Sequence, residues 1–187
     1  RSYGTDGNWH LVPREIPMEE NKKQYFDKAY DENGTLFLTT ESLSGKAGII
    51  ISPNKKMTIL LDQKYETNAY PVLITNRGKN ASIKLTYAEA LFNDKGEKGN
   101  RNEVAGKKLK GISDAYILDG GNNRNYSPLF FRTFRFIKLE IETKEEGVEI
   151  EDLYSIFAGY PFEEKASFKS NQTNLSAIWE TGWRTAR

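Results

Sequence analysis

The segment Phe130-Phe-Arg-Thr-Phe-Arg-Phe-Ile-Lys-Leu-Glu-Ile-Glu142 carries the clearest structural signal in the chain. Ile137, Leu139 and Ile141 alternate with Lys138, Glu140 and Glu142, a period of two that gives a strand one buried and one wet face. No helical stripe fits that spacing. Phe130, Phe131, Phe134 and Phe136 enclose Arg132 and Arg135, so guanidinium stacked on aromatic rings is the expected local packing. A role for these arginines in binding a carboxylate has no separate support in the sequence.

The same character repeats on both sides. Upstream, Gly111–Asp119 reads as a strand. In Ser82–Leu91, Ile83, Leu85, Tyr87 and Leu91 point one way, with Glu89 interrupting the row. Ala69–Thr75 contains Pro71, which confines it to an edge, a strand start or a bulge. Met57–Asp62, Ala47–Ser52 (closed by Pro53-Asn54) and Thr35–Glu41 (opened by the turn pair Asn33-Gly34) complete the series. Downstream, Val148–Tyr160 supplies a last strand before Pro161. About eight strands with regularly spaced turns and no β-α alternation predict an all-β fold, an antiparallel, jelly-roll-like β-sandwich. The polar stretch Asn93–Lys110 reads as a loop. Lys22–Glu32 reads as a solvated connector, and Pro13 and Pro17 give the N-terminal stretch an extended course, with Trp9, Leu11, Ile16 and Met18 as anchors. The domain expectation is an extended N-terminal segment over 1–32, the sandwich over 33–165 and a linker with a short C-terminal helix over 166–187.

That helix shows in Leu175, Ile178, Trp179, Trp183 and Ala186, which share one stripe, with Asn174 as N-cap. Two tryptophans on one face need a large apolar surface to cover them. The reading is therefore that a further domain follows, and that Trp179 and Trp183 belong to a domain interface.

The composition narrows the function. The 187 residues hold 27 basic and 26 acidic side chains, with no blocks of one sign, which gives no support to a nucleic-acid partner. The chain has no cysteine and one histidine, which removes thiolate chemistry, Cys-based metal sites and His-rich clusters. No apolar run reaches membrane-spanning length.

Several residues are candidates for chemistry. Glu89 on an apolar row must be paired or perturbed, and Asp114, Asp119, Glu15, Glu19 and Glu20 complete the carboxylates weighed for glycoside hydrolysis, with an ordinary salt bridge as the simpler reading. No pair stands out. The loop Gly120–Pro128 offers Asn122, Asn123, Arg124 and Tyr126, amides, a guanidinium and a ring able to bind a sugar, although any long turn between strands has a similar composition. The oxygen donors of Asn93–Glu103 do not match a calcium-loop spacing. His10 beside Trp9 lacks a nucleophile motif. No metal and no cofactor are expected.

Three segments together resemble the bacterial α-L-rhamnosidases of glycoside hydrolase family 78. They are Trp9–Glu20, Pro128–Glu140, and Tyr160-Pro-Phe-Glu163 with Ser167-Phe168 and Ile178–Arg187; Tyr87–Leu91 and Lys98–Asn102 fit the same pattern. The resemblance implies a β-sandwich that precedes an (α/α)6 catalytic barrel, with residues 166–187 leading into the barrel's first helix. It implies a parent that removes terminal α-L-rhamnose from plant glycans with inversion, as in polysaccharide degradation. The catalytic acids of that family lie in the barrel, so no catalytic residue is carried over. The expected role is a non-catalytic accessory domain whose partner is the barrel of the same chain. The alternative is a carbohydrate-binding module recognising rhamnose-containing sugars. The family's substrates imply a periplasmic or extracellular location in a bacterium.

Overall fold

The structure is a computed structural model that describes residues 12–39 and 48–187. Trp9, His10 and Leu11 lie outside the described residues. Two compact units are present: Asn21–Ala158, and the remaining described residues, 12–20 and 159–187.

The first unit is an antiparallel β-sandwich. Its strands are β1 (Glu20–Gln24), β2 (Lys28–Tyr30), β3 (Leu36–Thr39), β4 (Ile49–Ile51), β5 (Lys56–Arg77), β6 (Ser82–Ala88), β7 (Leu91–Phe92), β8 (Lys108–Leu109), β9 (Ile112–Ile117), β10 (Arg124–Tyr126), β11 (Arg132–Glu142) and β12 (Val148–Gly159). The main path runs β1-β12-β5-β11-β6-β9, with β2, β3, β4 and β10 paired at its flanks and β7-β8 as a separate hairpin.

The two expected strands Met57–Asp62 and Ala69–Thr75 are one bent strand, β5, which serves both halves of the sandwich. Its first part pairs β11 and β2; its last part pairs β12 and β10. At the bend, Gln63 to Glu66 stand opposite the single residue Arg135. Lys64 takes a left-handed φ of 77° there and donates its N–H to Asp62 Oδ1 at 2.7 Å, while Gln63 Nε2 donates to the Tyr25 carbonyl. Pro71 falls where the flank of β5 away from β12 is unpaired, between the end of the β11 ladder at Ala69 and the start of the β10 ladder at Leu73. Such a gap tolerates a residue with no N–H.

The bulge at Arg135 reverses the facing of β11. Phe134 points into the main core, and so do Ile137, Leu139 and Ile141, while Phe136 points the other way into a smaller cluster with Leu91 and Val104. The alternation read from Ile137 onward is the observed one. The main core joins Ile59 and Leu61 of β5, Ile83 and Leu85 of β6, and Ile150 and Leu153 of β12. Each such side chain contributes about 1.5–3 kcal/mol by leaving water.

The connector reading of Lys22–Glu32 is corrected. The end of β1 and all of β2 lie within it, and Phe26 is fully buried in the main core against Phe134. Short flanking strands keep most side chains wet, so composition alone does not reveal them. Glu89 is also displaced from its expected row: β6 ends at Ala88, the chain bends, and Glu89 is exposed.

In the second unit, α1 (Thr173–Ala186) is the one helix among the described residues. Gln172, not Asn174, takes the N-cap position, with no side-chain capping bond. Trp179 stacks on Phe168 with ring centroids 5.9 Å apart, and its Nε1 donates to Glu164 Oε1 at 3.1 Å. Trp183 is half-buried. Arg187 donates to the Glu20 carboxylate. Ile16 and Met18 are exposed rather than anchoring.

Candidate functional site

A cleft of about 450 Å³ opens where four pieces of the sandwich meet. The end of β6 and the corner after it provide Tyr87, Glu89 and Ala90; β7 provides Phe92; the long loop provides Lys98 and Lys110; the entry to β11 provides Phe131, Arg132 and Thr133. Gly111 closes the floor. A Cβ there would lie 1.7 Å from the Tyr87 carbonyl oxygen, so no other residue permits this approach of backbone to backbone.

Arg132 braces one wall. Its Nε and Nη2 donate to the two oxygens of Asp114 at 3.1 and 2.9 Å, and Nη1 donates to the Phe130 and Phe131 carbonyls. The guanidinium also lies 5.6 Å from the Tyr87 ring centroid. Burial opposes the Asp114 charge, but the bonds from Arg132 and Tyr87 outweigh it and hold the carboxyl below its ordinary value. Burial first, and the Asp114 charge second, push the Tyr87 hydroxyl well above the usual tyrosine range. Arg135 pairs likewise with Asp62 at 2.9 and 3.1 Å and lies 4.8 Å from the Phe136 centroid. The expected arginine–aromatic packing is present, and the carboxylates these arginines bind are the chain's own.

The loop carrying Lys98 is tied internally. Lys107 Nζ donates to the Lys98 carbonyl at 2.8 Å and the Asn100 carbonyl at 2.5 Å, so an ammonium sits where carbonyls converge. Asn93 Oδ1 accepts the N–H groups of Lys95 and Glu97. Among the described residues no group of three or more acidic or histidine side chains is placed to hold a metal ion.

The sequence-predicted sugar residues lie elsewhere and do not converge. Asn122 and Asn123 are exposed on the turn, the Asn123 N–H donating to Asn76 Oδ1 at 2.7 Å. Arg124 is held against Asp119, Nε to both carboxylate oxygens at 3.0 Å. Tyr126 stacks flat on Tyr116, 4.2 Å between centroids and 5° between planes, which commits one ring face to the protein. Asp114, inside β9, and Asp119, just after it, each have an arginine partner. The cleft was missed because its walls come from segments far apart in sequence. Its only local signals are Gly111 beside Lys110 and the exposed Phe130-Phe131 pair ahead of Arg132.

A family model described as the bacterial alpha-L-rhamnosidase concanavalin-like domain matches residues 53–158. Among solved structures, the chain is similar to the GH78 family rhamnosidase of Bacillus sp. GL1, at 16% identity and a TM-score of 0.62, over 82% of this chain and 16% of that one. It is similar to a rhamnosidase from Klebsiella oxytoca with rhamnose bound, at 12% identity and a TM-score of 0.61, over 87% of this chain and 34% of that one. At these identities the likeness is one of fold, and the chain spans only 16% and 34% of the two structures' lengths. No curated protein sequence matches the chain.

Proposed function

The chain belongs to the bacterial α-L-rhamnosidase concanavalin-like domain family, and from that premise we propose that it serves as the non-catalytic β-sandwich of an α-L-rhamnosidase, supporting a catalytic barrel in a longer protein. The observation that carries this reading is the apolar surface on α1. Ile178 is 62% exposed and Trp179 38%, and Ala177, Ile178, Gly182 and Ala186 line a shallow groove along the helix. A 14-residue helix gains most of its stability from packing an apolar face. A barrel helix laid along this groove supplies that packing. Deleting residues 21–158 from the longer protein then lowers its melting temperature and its turnover of aryl α-L-rhamnosides; a deletion variant with both intact removes the proposal. The same reading puts the protein in the periplasm or outside the cell, which fractionation of the producing bacterium checks.

A second reading, a module recognising rhamnose-containing sugars, draws on the exposed Asn122 amide beside an Arg124 fixed by Asp119. Calorimetric titration with L-rhamnose and rhamnosylated oligosaccharides tests it. Binding weakened in Arg124→Ala and Tyr126→Ala supports this second role, and a flat trace leaves the scaffold reading alone.

A further inference from the structure

We propose that the cleft between the β6–β7 corner and the entry to β11 binds a sugar acid, its carboxylate held by Lys98 and Lys110 and an apolar ring face laid on Phe131. The volume of about 450 Å³ lies in the range of small-ligand sites, roughly 300–1,000 Å³.

The walls are set before any ligand arrives. Lys98 rides on a loop pinned through its own carbonyl by Lys107. Gly111 fixes the floor against the Tyr87 carbonyl. Arg132 holds the backbone of Phe130 and Phe131 while its charge is cancelled by Asp114. Preorganisation of this kind lowers the ordering cost of binding.

Charge then selects the ligand. With Arg132 neutralised, the lining keeps Lys98 and Lys110 against the single carboxylate of Glu89, a net positive cleft. Neither lysine is committed to an ion pair among the described residues. Phosphate is a poorer fit, because the arginine fork such sites favour is spent on Asp114 and two carbonyls. A long acyl chain is poorer still, since the cleft is open and much of its lining is polar. Phe131, 45% exposed, offers an aromatic face, Phe92 lies under Lys98 Nζ at 6.0 Å from its centroid, and Glu89 and Thr133 offer hydrogen bonds to hydroxyls. A ring with C–H faces, hydroxyls and one carboxylate matches all of these at once.

The test is calorimetric titration of the whole chain with galacturonate and glucuronate, using galactose and glucose as neutral counterparts. At least one uronate binds saturably, and about tenfold or more tighter than its neutral counterpart, the scale of a charge-assisted hydrogen bond. Binding weakens as salt is raised. The double variant Lys98→Gln/Lys110→Gln keeps the wild-type melting temperature and loses that affinity, as does Phe131→Ala, whereas Lys144→Gln, which removes a remote charge, retains it. No saturable binding of either uronate, equal binding of the neutral sugars, or undiminished binding in the double variant overturns the proposal.

Discussion

Replacing Asp62 with alanine removes the group that holds the bend of β5. Asp62 accepts two bonds from Arg135 and one from the Lys64 N–H, and the paired side chains are only 6% and 12% exposed. Without the carboxylate, Arg135 keeps Asn102 Oδ1 at 3.1 Å and the Phe136 ring, but no counter-charge. Breaking a buried pair on one side costs about 3–5 kcal/mol, and the partners left to Arg135 place this case near the lower end, ~3 kcal/mol. For a chain of this size that is roughly a 6–12 °C fall in melting temperature. Asp62→Asn keeps an acceptor for Lys64 and loses the charge, so it separates the turn from the ion pair. Thermal unfolding of Asp62→Ala, Arg135→Met and the double variant forms a cycle that isolates their coupling. A loss below about 1 kcal/mol in Asp62→Ala refutes the claim that this pair fixes the bend.

Three further outcomes follow from the same structure. Gly78→Ala combines a φ of +76° with a Cβ 2.2 Å from Val148 Cγ2; we expect a loss of about 2–4 kcal/mol in chemical denaturation. Gly96→Ala, with a φ of +81° and nothing within 4 Å, isolates the backbone part at about 1 kcal/mol, and equal losses in the two variants contradict the packing argument. Lys107→Met frees the carbonyls of Lys98 and Asn100, and hydrogen exchange quickens across residues 93–103 while β5 and β11 keep their protection; unchanged exchange in the loop refutes the tie. The lowered pKa of Asp114 means its pairing stabilises the fold above the ordinary carboxylate value of about 3.9 and that this part is lost as pH falls through the lowered value. The melting-temperature gap between wild type and Arg132→Gln therefore narrows as pH falls below about 4; a gap constant with pH contradicts it.

What the sequence revealed and what it hid have physical causes. The period-two alternation of Ile137, Leu139 and Ile141 is local, and the structure keeps it. The continuity of β5 is hidden because Gln63-Lys64-Tyr65-Glu66 has the polarity of a turn, and the bend is set by Arg135, 73 positions from Asp62. β1 and β2 are polar strands whose one strong core residue nearby, Phe26, sits between them. Tyr126 reads as a ligand platform until its partner Tyr116, from a different strand, is seen stacked on it. Glu89 stands out as an acid in an apolar row, and the bend after Ala88 takes it out of that row. Apart from the local bend at Glu89, the hidden elements depend on pairings distant in sequence, which periodicity and composition do not carry.

The most direct test of the scaffold reading is steady-state hydrolysis of 4-nitrophenyl α-L-rhamnoside by this chain alone. The account predicts release of nitrophenol no faster than in buffer, in wild type and Glu89→Gln alike. Turnover by the wild-type chain that disappears in Glu89→Gln contradicts it and makes the sandwich itself the enzyme.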